Sequence, residues 1–233
     1  MNTAQLKTSQ VSDAFEIMKE KIISYEWIPG SHLSSNQIAS ELGMSRTPIE
    51  KALMILEQYG LVSMEKGKFI VSTFDLTDLI ELYQVKEALE TEAVKIIIEK
   101  GGLTKAQVSH LKKIVESHSQ AASTEDDRAY FREGMSFHRS ILELSGNRRL
   151  CIMHDLIRYQ NERAQLLNVL LPQQKESVGE HMELIVALEA GDLEHALRAT
   201  SEHSRKSIAR FQKILGSSTF RSAVLGVSSL YQK

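Results

Sequence analysis

The chain is predicted to be mainly α-helical, with an N-terminal winged helix-turn-helix followed by a C-terminal all-helical bundle. Three observations carry this. Apolar residues recur at spacings of three and four along most of the chain, the period of one helix face. Only three prolines occur, Pro29, Pro48 and Pro172, and the glycines fall mostly between the periodic segments, which is how a helical protein is punctuated. Runs with strand character are confined to "LVSME" and "FIVSTF", close together before residue 75. The boundaries that follow are 1–74 for the winged unit, 75–216 for the helical unit and 217–233 for a tail.

In the first unit, Val11, Ala14, Phe15, Met18 and Ile22 keep helical spacing and predict a helix over roughly 9–25. "WIPGSHL" interrupts it with a Pro-Gly turn. Ser34 is placed to cap a second helix, with Gln37 three residues on as the other half of a capping box, and Gly43 ends it. Ser45 is placed to cap a third, whose first turn tolerates Pro48 because the amides there lack intrahelical acceptors. Its buried stripe is Ile49, Ala52, Leu53 and Leu56, and Gly60 stops it. Two short strands then meet across "KGK" as a wing.

Beyond residue 75, "DLTDLIELYQVKEALETEAVKIIIEKGG" reads as one long helix closed by Gly101 and Gly102. "TKAQ" at 104–107 is a second capping box that opens the next. Further helices are expected over about 125–145, 148–170, 173–190 and 193–215, with Gly146, Pro172 and Gly191 as breaks. That makes six helices in the second unit.

Bulk properties narrow the class. With 233 residues and 42% hydrophobic content, real cores can form without cross-links. The single cysteine, Cys151, leaves no disulfide framework and no Cys-rich zinc site within one chain. No apolar run resembles a signal peptide or a membrane span, so a cytoplasmic setting without membrane attachment is expected. The formal net charge is −2, and residues 1–75 hold seven Lys/Arg against nine Asp/Glu. Any affinity for DNA must therefore come from where charges are placed and not from bulk attraction.

The third helix supplies that placement. Arg46, Glu50 and Met54 recur one turn apart on the face opposite the apolar stripe, with Thr47 and Lys51 beside them. In a helix-turn-helix the N-terminal residues of this helix meet base edges in the major groove. Arg46 can bond guanine O6 and N7 with its forked head, and Thr47 can meet thymine or phosphate. Lys66 and Lys68 at the hairpin tip can hold phosphate or reach the minor groove, and Ser34 and Ser45 at the helix starts complete the candidate contacts.

"YEWIPGSHLSSNQIASELGMSRTPIEKALMILEQYGLV" closely resembles the DNA-binding domain of GntR-family transcription regulators, over about residues 11–73. The resemblance implies that Arg46 and Thr47 contact DNA. It also exposes a departure, because the family usually carries Arg and then Glu where this chain has Glu50 and then Lys51. An acid cannot grip phosphate but can accept from cytosine N4, so Glu50 is expected to shift operator preference.

In the second unit, His138, His181 and His203 fall on three separate expected helices, and imidazoles from neighbouring helices of a bundle can meet at one divalent ion. "FHRSILELSGNRRL" followed by "EHMELIVALEAGDLEHALRATSEH" resembles the FCD domain of the FadR branch of the family. That resemblance implies a Zn²⁺ or Ni²⁺ ion held by these three His and an Asp one turn before the first. The Asp position is Gly134 here, and Glu133 points some 140° away around the helix. It further implies a homodimer on a double-stranded operator and a small-molecule effector, mostly an organic acid. Arg158 and Arg163 are candidate partners for its carboxylate. Lys86, where the family often has Arg, would offer a point charge in place of a bidentate contact.

Two readings from other classes stand beside the regulator. A helical metalloenzyme would use the three His around an open coordination position, although no HExxH, paired Glu-x-x-His or nucleophile motif is present. A winged-helix docking adaptor would use the first unit for protein contacts. The regulator, which is not an enzyme, is the reading best supported, with repression the commoner outcome among relatives.

Overall fold

The computed structural model describes residues 3–166 and 176–215. The expected break at Pro172 and the 217–233 tail lie outside these residues. The winged unit runs α1 (Thr3–Ile23), β1 (His32–Leu33), α2 (Ser35–Leu42), α3 (Arg46–Gln58), β2 (Val62–Glu65) and β3 (Lys68–Val71). Helix α1 begins earlier than its apolar spacing suggests, and it packs on α3 through fully buried Ala14, Met18 and Ile22. Burying each large side chain here contributes about 2 kcal/mol.

Local chemistry sets the turn between α2 and α3. Ser34 Oγ accepts from the Gln37 amide at 3.4 Å, which forms the forward half of the expected box. Gly43 closes α2 in the left-handed region at φ +62°, where a side chain would be strained. The Ser45 side chain makes no capping hydrogen bond to α3, contrary to expectation. Its hydroxyl is left exposed beside Arg46.

The wing carries a strand that sequence spacing did not reveal. β1 pairs antiparallel with β3, which also pairs with β2, giving the order β1-β3-β2. Two residues are too few to show alternation, so "SHL" reads as a turn. The tip between Glu65 and Lys68 is a two-residue loop in which Lys66 (φ +49°) and Gly67 (φ +76°) are both left-handed. This is the hairpin turn whose twist matches the flanking strands.

The second unit comprises α4 (Leu76–Glu99), α5 (Lys105–Ser123), α6 (Asp127–Leu144), α7 (Arg148–Leu166), α8 (Glu176–Ala190) and α9 (Leu193–Leu215). Both Asp75 with Asp78 and Thr104 with Gln107 form reciprocal capping boxes, starting α4 and α5. Helix α4 lies along α9, and α5 along α6.

Two apolar clusters build the interior. One joins the winged unit to Leu79, Tyr83, Tyr130, Phe131, Tyr159 and Phe211. The other holds the far end of the bundle, with Ala93, Ile97, Leu111, Phe137, Ile141, Leu184 and Ala199. Between them the same helices bury a polar layer: Lys86 and Glu90 on α4, His118 on α5, His138 on α6, and Glu180 and His181 on α8. Buried charges and imidazoles cost free energy unless they are paired or hold an ion, so this layer requires compensation that the apolar clusters do not.

Candidate DNA interface and candidate metal centre

The exposed front of α3 presents Arg46, Thr47 and Lys51, and the wing presents Lys66 and Lys68. Between them lies an open cleft of about 510 Å³ lined by Ser34, Arg46, Glu50 and Lys68, with His32 and Ser35 at its edge. Glu50 is not idle there. Its Oε1 accepts from Arg46 Nε at 2.7 Å, and the two side chains remain 41% and 62% exposed. An exposed i,i+4 pair of this kind is worth only about 0.3–0.5 kcal/mol. It therefore orients the guanidinium without locking it away.

The histidine cavity, about 40 Å³, is lined from all six helices of the bundle. One ring nitrogen from each of His138, His181 and His203 falls within 4.8 Å of the others. His203 Nδ1 is 2.6 Å from Glu180 Oε2, and His138 Nδ1 is 3.0 Å from Glu90 Oε1. With the His203 proton on Nδ1 facing Glu180, its Nε2 keeps its lone pair for a metal, the usual outer-shell arrangement, whereas His138 Nδ1 lies between Glu90 and the Lys86 ammonium. His181, 3% exposed, has neither ring nitrogen hydrogen-bonded.

Burial keeps these rings neutral. It pushes His203 and His118 down to about 4. His181 falls well below its ordinary value, through burial and then the neighbouring His138 and His203. His138 is also lowered, chiefly by burial. Burial would raise the Glu90 carboxyl, but His138 and Lys86 beside it outweigh that and hold it below the usual carboxylate range. Lys86 Nζ bonds Glu90 Oε2 at 3.0 Å and lies 3.3 Å from His138 Nδ1, so its charge is compensated next to the cavity. Neutral imidazoles, two of them braced by carboxylates, fit Zn²⁺ or Ni²⁺.

Comparison with known proteins identifies the two domains that carry these sites. Residues 10–71 match the family described as bacterial regulatory proteins, gntR family, and residues 81–206 match the FCD domain. The chain belongs to the GntR family, with an FCD domain at its C-terminal side. Among relatives, it is 26% identical over 208 residues to an HTH-type regulator in an unstable DNA locus of Streptomyces ambofaciens, covering 87% of this chain and 85% of the relative. It is 26% identical over 134 residues to the regulator YdhC of Bacillus subtilis, covering 57% of this chain but only 59% of YdhC. The fold is also that of E. coli McbR/YncC, at 23% identity and a TM-score of 0.71 over 88% of this chain and 98% of that one. Among the described residues, no helix is long and apolar enough to cross a membrane.

Within the FCD domain the structure brings together His138, His181, His203 and Lys86 but not the two arginines. Arg158 is exposed and stacks on the Tyr159 ring at 4.2 Å. Arg163 is 2% exposed and sits at the junction with the winged unit. There its guanidinium lies 5.5 Å from the Tyr25 ring and 4.9 Å from the Phe74 ring. Neither lines the histidine cavity: Arg163 projects from the face of α7 opposite the cavity-lining Gln165, and Arg158 shares that residue's face but lies two turns earlier, about 10 Å along the axis. The cation that does line the cavity is Arg210 on α9, whose Nη2 donates to Ser207 Oγ at 2.9 Å. Glu133 pairs with Arg132 at 3.1 Å and does not stand in for the missing Asp. Sequence reasoning also missed His118, although its signal was available: it continues the buried stripe of Val108, Leu111 and Val115 on α5.

Proposed function

We propose that this GntR-family regulator is a homodimeric repressor whose grip on a near-palindromic operator is set by a small carboxylate effector bound over a divalent metal in the FCD cavity. The observation that carries this is the meeting of three neutral imidazoles within 4.8 Å, two of them braced from behind by Glu90 and Glu180. In this reading His138, His181 and His203 hold the ion, which supplies an open coordination position for a carboxylate. Arg210 receives the remaining negative charge, and Lys86 tunes His138 through Glu90. A cavity of about 40 Å³ admits an ion with a water or two. An organic acid must therefore displace lining side chains such as Gln165 and Arg210, and that displacement is the differential contact by which a ligand shifts a conformational equilibrium.

On the DNA side, Ser34, Ser45, Arg46, Thr47, Glu50, Lys51, Lys66 and Lys68 are the proposed contacts, with Arg46 and Thr47 in the major groove and the lysines on phosphate. Pairing of two chains is supported by Ile152, Met153 and Leu156, large apolar side chains left 42–46% exposed on α7, and by the twofold symmetry that half-sites require. Repression rests on the family resemblance.

The test is selection of DNA from a random pool by untagged protein, with metal analysis and mass spectrometry of released small molecules. Enrichment of a palindrome, stoichiometric Zn or Ni and a carboxylate that weakens operator binding are expected. Failure to enrich any sequence would favour a protein-docking role, and turnover abolished by chelation would favour a metalloenzyme.

A further inference from the structure

We propose that His118 of α5 is a fourth protein ligand of this metal site, occupying the place of the carboxylate that position 134 lacks. The inference rests on the reading that the cavity holds a divalent ion. Position 134 lies one helical turn before His138, on the same face of α6. A Cβ added at Gly134 would meet His118 Cε1 and Nε2 at 3.5 Å and His181 Cε1 at 4.0 Å. A methyl group fits there in ordinary contact, but the carboxyl group of an Asp would enter the volume that the His118 ring fills. The absent side chain and the present ring are thus two solutions for one space.

His118 has no other evident reason to be an imidazole. It is 1% exposed, and neither ring nitrogen has a hydrogen-bond partner. Leaving a buried polar group unsatisfied is unfavourable, and an apolar ring at the same place would avoid that. The ring packs against Tyr130 at 4.1 Å and His181 at 5.2 Å between centroids, and it lines the same cavity as the three convergent His. The ring lies outside the group of three whose ligand atoms come within 4.8 Å of one another, so ligation requires it to turn toward the ion into the fourth position. Gly134, an unfavourable residue in a helix interior, keeps that path open.

The change has chemical consequences. Four neutral nitrogen donors leave the ion's full double charge uncompensated, where three His and an Asp would leave a single one. Nitrogen donors also select Zn²⁺, Ni²⁺, Co²⁺ or Cu²⁺ over Mg²⁺ and Mn²⁺.

The experiment uses full-length untagged protein stripped of metal and titrated with Co²⁺, read by visible absorption and by competition with a chelator of known affinity. His118→Phe keeps the stacked ring and removes both nitrogens. It should weaken Co²⁺ binding about 10-fold or more and change the absorption bands, with a melting temperature that is unchanged or higher before metal is added. Adding Gly134→Asp to His118→Ala should recover most of the loss, while adding Gly134→Ala should not. Equal affinity and spectra for wild type and His118→Phe would overturn the role of His118 and leave the three-His site standing. Equal recovery by Ala and Asp at position 134 would also overturn it. A wild-type protein that takes up no Co²⁺ would overturn both readings.

Discussion

Arg163 Nη1 donates to the carbonyl oxygen of Ser72 at 2.8 Å, tying helix α7 of the FCD domain to the residue that follows the last wing strand. The same segment is clasped from the other side. Tyr25 Oη donates to the carbonyl oxygen of Arg163 at 2.8 Å, and Tyr25 itself is fully buried at φ +59°. A bulky residue in the left-handed region is held only where its surroundings over-determine it. The junction between the winged unit and the FCD domain is therefore built, with Arg163 at its centre.

Replacing Arg163 with Ala should loosen this junction. The loss of a charge-assisted hydrogen bond and of stacking on Phe74 and Tyr25 is expected to cost about 2–4 kcal/mol. Limited proteolysis should then cut within Ser72–Asp75 faster than in wild type. Arg163→Met, which keeps the buried stem, should be milder, because Nε and Nη2 make no hydrogen bond. Equal resistance of all three proteins would show that the clasp contributes nothing to docking.

Gly60 tests the same junction from the winged side. It adopts φ +68°, and a Cβ there would come within 2.5 Å of Gln160 Nε2 on α7. Gly60→Ala should cost about 1–2 kcal/mol from backbone strain, plus whatever is needed to move the flexible end of Gln160. Combining it with Gln160→Ala should recover the second part and leave the first, as a double-mutant cycle of denaturation midpoints would reveal.

Freeing Arg46 from Glu50 should strengthen binding while blurring it. Glu50→Gln is expected to raise affinity for random-sequence DNA several-fold. Glu50→Arg should raise it further and steepen the salt dependence by about one or two released counterions. Neither should widen the ratio of operator to random-sequence affinity. A large gain in that ratio for Glu50→Arg would mean that Glu50 is a defect and not a selector.

Acid should destabilise the metal-stripped protein in a defined window. His118 and His203 titrate near 4 when folded and near 6.5 when unfolded. Between those values the unfolded chain binds more protons than the folded one, so stability falls as pH drops from about 6.5 to 4, and the loss continues below as Glu90 and Glu180, both held below the usual carboxylate range, take up protons. The melting temperature should decline across that window, and saturating Zn²⁺ at the same pH should oppose the decline. Replacing His118 with Phe should make the decline shallower.

The sequence foretold helices best where a cap closes them. Thr104 and Gln107, Gly43 and Gly191 each do their work locally, within a few residues, and so are visible in one dimension. β1 was invisible because its two residues gain strand character only from pairing with β3. The three convergent His could be named from spacing and resemblance, but their convergence is tertiary. So is the destination of Arg163: charge suggested solvent or a ligand, whereas Tyr25 and Phe74, more than eighty residues away in sequence, provide its seat. His118 was overlooked because one imidazole on an apolar stripe has meaning only beside the gap at Gly134.

Only Ser72–Asp75 separate the last wing strand from α4, and the reciprocal box at Asp75 starts that helix without fraying. Lys86 and Glu90 lie ten and fourteen residues into the same rod, about 15 and 21 Å from its start. The distance from cavity to wing is thus metered by a single stiff element with almost no slack at its end. In a symmetric pair such rods would act as a ruler laid on the duplex. An operator lengthened by one base pair, which turns one half-site by about 35°, should be refused even with every recognised base in place.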